Sequence, residues 1–332
     1  MRIKALRESA LASALALPAA CSGLTAQPPT APAAAVAPAA AHDSWSSKKA
    51  MPTAVLCPAA AAIGTKVYVI GGVDSSQTVL GTNQIYDTVK NKWSTGKAMP
   101  TPRWCAGAAV VKGIIYVVGG NATISGASNV VEAYDPSSDS WTEKSPLPIA
   151  DAPVAIAVST YVYTFGGFSP SYGRLANVYY YQPKQDLWRD RNPMKLGRSN
   201  PAVGQIGKNV FVADGYTNAG ATAETEEYSV KKNHWHVVAS DLLGRTASCA
   251  GVIGTTLYAA GGELGGGSQP DTNVLDAYDS TKNKWSALAS MPQATVAPGS
   301  AVVGGLLYCF GGASSGNPNG ATFYKNVQVY TP

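Results

Sequence analysis

Charge is scarce in this chain. Asp, Glu, Lys and Arg make up 14% of the residues, about half the usual share of a soluble domain, and the formal net charge is +5. A protein that grips phosphates carries clustered Lys and Arg on one face, so nucleic acid is excluded as a partner. Histidine is rarer still. His42 stands alone, while His234 and His236 flank Trp235, and two such side chains without a third ligand make a poor metal site. No metal or cofactor is therefore expected. Apart from Ala10 to Ala20, which is too short to cross a bilayer, the chain has no long apolar run, and no transmembrane span is read. Close Cys-x-x-Cys spacing is also missing among Cys21, Cys57, Cys105, Cys249 and Cys309, which excludes zinc ribbons and thioredoxin-like centres. Cys57, Cys105, Cys249 and Cys309 lie in small-residue or apolar stretches and read as buried free thiols, with disulfides the alternative that an even number permits in an exported chain.

Glycine (34) and proline (22) are plentiful, and 45% of the residues are hydrophobic, a composition of short strands and many turns around a packed interior. At the N-terminus, Arg2, Lys4 and Arg7 precede the apolar stretch in the manner of a secretory signal. Leu17-Pro18-Ala19-Ala20-Cys21 resembles the cleavage box of bacterial lipoproteins, in which the cysteine becomes the lipidated N-terminus, although Pro18 stands where an aliphatic residue is usual. The alternative is an ordinary small-residue cleavage site. Residues 1–21 are thus expected to be a leader and 22–41 a Pro/Ala-rich tether. This places the protein outside the cytoplasm, in the periplasm or cell envelope with a lipid anchor at Cys21, or secreted.

From residue 42 onward the chain repeats. Trp recurs at 45, 93, 141, 188, 235 and 285. Apolar runs end at Gly71-Gly72, Gly119-Gly120, Gly166-Gly167, Gly261-Gly262 and Gly311-Gly312, with Asp214-Gly215 in the remaining slot. Tyr86, Tyr134, Tyr181, Tyr228 and Tyr278 each stand seven residues before a Trp, and Tyr330 has none after it. Between these markers each unit holds four strand-like runs. Ala106 to Val111 is small enough for a crowded centre, Ile114 to Val118 is apolar on both faces, and Asn129 to Tyr134 and the run from Trp141 flank the turn Asp135-Pro136-Ser137-Ser138-Asp139.

An apolar run ending in Gly-Gly, then Tyr, six residues and Trp, at a period near 48, resembles the kelch repeat over residues 42–332. The resemblance implies an all-β, six-bladed kelch β-propeller with four-stranded antiparallel blades at about 52–98, 100–146, 148–193, 195–240, 243–290 and 292–332. Trp45 is the Trp that Tyr330 lacks. Residues 42–50 should therefore supply the outer strand of the last blade, so that the N-terminal strand closes the ring on the C-terminal blade. One monomeric domain is expected.

Strand alternation puts the longest loops on one face: 73–81, 121–128, 168–176, 216–223, 263–272 and 313–322. Long varied loops on a rigid ring are where recognition concentrates. Sixteen residues before the Gly-pair slot stand Arg103, Arg198 and Arg245, with Val55, Ala150 and Thr295 counted into the same position elsewhere. In kelch proteins that dock acidic peptides, arginines here line the central opening, so the resemblance implies an anion-reading pocket. The competing reading makes them ties to a neighbouring carbonyl or carboxylate. Arg174, Trp104, Tyr172, Phe168 and Tyr216 add aromatic and cationic candidates. The expected partner is a protein or glycan with acidic groups. The second reading is an enzyme: kelch-type N-acetylneuraminate epimerases are exported propellers, and the likeness implies Glu263 as proton-transfer group with Arg198 or Arg245 on the sugar carboxylate. Gly312-Ala313-Ser314-Ser315-Gly316 fits the nucleophile-elbow pattern but has no following helix, so it carries no catalytic reading.

Overall fold

The structure is a computed structural model that describes residues 42–124, 126–265 and 271–332; the leader, the tether and Cys21 lie outside them. Among the described residues every regular element is a strand, and no helix is long and apolar enough to cross a membrane. Six four-stranded antiparallel sheets form the blades of a propeller. Blade two shows the plan: Gly107–Val111 innermost, then Ile114–Val118, Val131–Asp135 and Ser140–Lys144 outermost. The inner strands begin at Ala59, Gly107, Val154, Ala202, Cys249 and Gly299. Small residues dominate there because six strands converge on the axis. The second strands, such as Lys66–Ile70, are buried along nearly their whole length, since each is covered by a neighbouring blade on both faces.

The N-terminal strand closes the ring. Ser44–Lys48 pairs with Val327–Thr331 in register Trp45↔Tyr330, completing the sheet of Gly299–Val303 and Leu306–Phe310. Each Tyr packs on its Trp with ring centroids 4.8–5.5 Å apart, Trp45 with Tyr330 among them. Each pair also latches its blade to the preceding one. Tyr134 donates to Asp139, whose carboxylate accepts the backbone N–H of Lys97, while Trp141 Nε1 donates to the Lys97 carbonyl. The same three bonds recur six times, ending with Tyr330 on Asp43, Ala289 N–H on Asp43 and Trp45 on the Ala289 carbonyl. The latch explains the turn sequence: Asn91, Asp139, Asp186, Asn233, Asn283 and Asp43 all have φ near +50°, a conformation that Asn and Asp tolerate best among non-glycine residues.

The Gly pair joins blades on the opposite face. The second glycine donates its N–H to a carbonyl in the next blade: Gly72 to Arg103, Gly120 to Asp151, Gly167 to Arg198, Gly215 to Arg245, Gly262 to Thr295 and Gly312 to Val55. The first glycine must approach that same carbonyl, and a Cβ on Gly71 would lie 2.3 Å from it. These bonds define the slot position structurally, and in blade three its occupant is Asp151. Counting residues gives Ala150 because blade three is one residue short between slot and inner strand, with Ala152 and Pro153 in place of three residues.

The residue lost in blade three matters to the ring. Elsewhere it is Cys57, Cys105, Asn200, Ala247 or Ala297, all with φ of 48–56°. They form a chain of backbone bonds around the axis: Cys105 N–H to Cys57 O, Cys57 to Ala297, Ala297 to Ala247, and Ala247 to Asn200. Blade three interrupts it, and Ala152 N–H bonds instead to Phe168 O.

The cysteines correct the expectation of free thiols. Cys57 is bonded to Cys105 and Cys249 to Cys309, with Cα atoms 4.8 and 5.7 Å apart. The first pair shares one ring position in adjacent blades. The second joins the inner strand of blade five to the second strand of blade six. Both pairings cross a blade boundary, which spacing along the chain does not reveal.

Candidate functional site

The slot residues and their neighbours point in opposite directions. Arg103, Arg198 and Arg245 are fully buried, with none of their surface exposed. Arg103 donates to the Gly119 and Val130 carbonyls and pairs with Glu132 at 2.7 Å. Arg198 donates to the Asp214 and Glu224 carbonyls and pairs with Glu226 at 2.6 Å and Glu224 at 3.4 Å. Arg245 donates to Val274 O and pairs with Asp276. All three therefore tie the slot to the Gly-pair strand and the third strand of their own blade. This corrects their reading as ligand contacts: no guanidinium edge is left for a molecule in the central opening.

The matching acid sits at the second residue of the third strand. Blades with Arg have Glu132, Glu226 or Asp276 there, and blades without it have Gln84, Tyr179 and Gln328. Arginine and carboxylate thus appear together, because either alone would be a buried unpaired charge.

One residue beyond the slot, the chain lines the central opening. Leu56, Trp104, Ala152, Ser199 and Thr246 line a cavity of about 480 Å³ on the long-loop face. The residues following the Gly pairs of blades two to five, Asn121, Phe168, Tyr216 and Glu263, line it as well. The two sets face each other through small bridges, Trp104 with Asn121, Ser199 with Tyr216 and Thr246 with Glu263. In blades one and six the corresponding Val73 and Ala313 are buried with Leu56 in an apolar cluster that closes that side. The opening is therefore lopsided, with most of its polar and aromatic lining in blades two to five.

Five of the expected residues meet here: Trp104, Phe168, Arg174, Tyr216 and Glu263. Arg174 is placed by a two-residue hairpin in which it stands opposite Phe168. Its guanidinium carbon lies 4.4 Å from the Tyr216 ring centroid and 5.4 Å from that of Phe168. Nε is buried and has no hydrogen-bond partner among the described residues. Trp104 is held by Nε1 to Thr123 O at 3.0 Å. Tyr172 is not part of the cavity lining; it stands 69% exposed on the rim. Glu263 is buried, and Gly316 of blade six passes so close that a Cβ there would lie 3.0 Å from its Oε2. Asn200 and Asn317, absent from the sequence candidates, complete the polar lining. The signal that could have found this site is the diversity of the residue after each Gly pair.

Three carboxyl groups nearby, Asp151, Asp214 and Asp241, are perturbed by burial. Among the described residues Asp151, in the slot of blade three, has no cationic partner, its Oδ1 is unsatisfied, and burial pushes its pKa up to about 8. Around Arg245, Asp214 and Asp241 replace the usual Gly and Met of the repeat and lie 3.8 and 3.4 Å from Nε. Burial raises Asp214 well above the usual carboxylate range, the neighbouring Asp241 adding to it, and burial brings Asp241 to about 6. Among the described residues no cluster of three or more His, Cys, Asp or Glu is arranged to hold a metal ion.

The comparisons agree with the architecture. Residues 41–203 match the KLHDC2/KLHL20/DRC7 Kelch-repeats domain and residues 244–292 match the Kelch motif. The chain is a kelch-repeat β-propeller protein. Among solved structures it is similar to one described as "Structure of YjhT", at 19% identity and a TM-score of 0.74, covering 85% of this chain and 96% of that one. At that identity the likeness concerns the fold. No curated protein matches the sequence.

Proposed function

We propose that this propeller is a binding module that takes a carboxylate-bearing ligand, an acidic peptide segment or a sugar acid, in the mouth of its long-loop face, with Arg174 as the anchor. The observation that carries this is the state of Arg174. Its guanidinium is stacked on aromatic rings while its Nε has no hydrogen-bond acceptor among the described residues. A guanidinium so fixed can engage a carboxylate through two parallel bonds without first losing side-chain freedom. Charge-assisted bonds of this kind contribute about 1.5–3 kcal/mol each in a partly desolvated site.

Titration with N-acetylneuraminate, galacturonate and a glutamate-rich peptide tests it. Arg174→Ala should weaken binding of whichever probe saturates by about tenfold or more. Saturation by none of them, or affinity unchanged in Arg174→Ala, overturns the reading.

A second reading is favoured by the position of Glu263, a buried carboxylate in the same cavity as Arg174. It makes the protein a sugar-acid epimerase or mutarotase, in which Glu263 moves a proton while Arg174 holds the substrate carboxylate, in the place first given to Arg198 or Arg245. Faster interconversion of N-acetylneuraminate anomers, followed by NMR and abolished in Glu263→Gln, is the expected result; an unchanged rate rules it out. Export belongs to the same proposal. Mass spectrometry of the mature N-terminus in a Gram-negative host should find diacylglyceryl-modified Cys21 or a cut between residues 19 and 26, whereas an intact Met1 on the folded native product contradicts it.

A further inference from the structure

The two disulfides of this propeller have different surroundings. Cys249 and Cys309 are 0% and 2% exposed and sit within one apolar cluster between blades five and six. Cys57 and Cys105 are only half-buried. They line the mouth and also a second cavity of about 390 Å³ walled by the inner strands. A small molecule that enters either cavity therefore has Cys57 and Cys105 in its wall.

That bond is not what holds the ring together at this level. Asn200, Ala247 and Ala297 occupy the same position in three other blades and are joined through their backbones alone. Cys105 makes the same backbone bond, donating its N–H to the Cys57 carbonyl at 2.7 Å. Opening the disulfide leaves that bond, the Gly-pair bonds and the Tyr–Trp latches in place. Its effect should be felt instead in the mouth. Cys105 directly follows Trp104, whose backbone N–H and C=O pair with Asn121 at 3.0 and 2.8 Å, and both residues line the cavity.

We propose that Cys57–Cys105 is a thiol-exchange site opening into the mouth, and that its redox state sets the mobility of the Trp104–Asn121 wall. Its co-substrate is a small thiol. The incoming thiolate attacks one cysteine sulfur, the Cys57–Cys105 bond breaks, a mixed disulfide forms and the other cysteine leaves as a thiolate. A second thiolate then attacks the mixed disulfide at the small molecule's sulfur and releases a symmetric small disulfide, so two thiols are oxidised as one protein disulfide is reduced. Access to the sulfur governs such exchange, and here access differs between the two bonds of one chain. The inference stands independently of which ligand Arg174 binds.

The test exposes the native full chain to 2-mercaptoethanol, quenches with iodoacetamide at intervals and maps the label by peptide mass spectrometry. Cys57 and Cys105 should be labelled at least tenfold faster than Cys249 and Cys309. In the reduced protein, hydrogen-exchange protection of the Trp104 and Asn121 amides should fall while that of the second strands is kept. The Cys57→Ser/Cys105→Ser variant should reproduce the exchange pattern and take no fast label; if that variant does not fold, chemical reduction of the natural chain still decides. Equal labelling of both pairs, labelling only under unfolding conditions, or unchanged protection at Trp104 and Asn121 overturns the proposal.

Discussion

Two rings of residues, one position apart in the repeat, divide the labour of this propeller. The slot ring is sealed inside the blades, and its arginines Arg103, Arg198 and Arg245 are each paired with a buried carboxylate of the third strand. The ring one residue further on, with Trp104, Ser199 and Thr246, faces the mouth. In an extended chain successive side chains point to opposite sides, so a shift of one residue separates a tie from a contact. Charge alone is a poor guide to which is which. The arginines that look most like a binding motif are structural, and Arg174, which belongs to no repeat position, is the one left open.

Ring closure should give the largest effect, and it bounds the comparison by showing what a lost tie costs. Deleting residues 42–50 removes the five-residue pairing with Val327–Thr331 and the latch from Trp45 to Ala289, at a cost of several kcal/mol. Chemical denaturation of the truncated chain checks it. A midpoint equal to that of the intact chain contradicts the closure.

Removing a slot arginine comes next. Arg198→Ala strands the buried carboxylate of Glu226 and should cost about 3–5 kcal/mol. The double change Arg198→Met/Glu226→Met should recover most of that, because it removes both charges together. A double-mutant cycle reads the coupling directly, and additive effects would show that the pair is not a unit.

The acids without matched partners sharpen the same contrast through pH. The folded-state values of Asp151 and Asp241, about 8 and about 6, lie above the unfolded value of 3.8. The folded chain therefore binds protons more tightly than the unfolded chain. Their stabilising contribution is full below pH 4 and is lost as pH rises through 6 and then 8. Asp151→Asn should leave the midpoint at pH 3 nearly unchanged and raise it at pH 9, as followed by thermal melts. A variant that tracks the parent at both pH values contradicts an uncompensated carboxyl in that slot.

Much of the fold was legible because each repeat states it several times. The Trp spacing, the Gly pairs and the Tyr seven residues before Trp gave six blades, and the orphan pair Trp45 and Tyr330 gave the closure; the strands at Ser44–Lys48 and Val327–Thr331 agree with it. The site was legible only in part. Trp104, Phe168, Arg174, Tyr216 and Glu263 lie together because loop position and residue type sufficed to choose them. The slot arginines were misread because counting residues fixes a position but not the direction of a side chain. The pairing of Arg103 with Glu132 and Arg198 with Glu226, set against Gln84 and Gln328 in blades without Arg, was present in the sequence and tells the direction. The disulfides were not legible, since Cys57 meets Cys105, and Cys249 meets Cys309, only once neighbouring blades are side by side.

The smallest stability effect is expected in the mouth itself, and there the comparison meets its most direct test. Arg174→Ala and the paired Arg198→Met/Glu226→Met variant should be set side by side, with thermal melts and with titration of whichever carboxylate probe saturates the parent protein. Arg174→Ala should cost no more than about 1 kcal/mol of stability, the worth of its stacking on Tyr216 and Phe168, while losing tenfold or more in affinity. The paired slot variant should keep its affinity and shift only in stability. The reverse pattern, with binding lost from the slot variant and kept in Arg174→Ala, would contradict the division of the two rings.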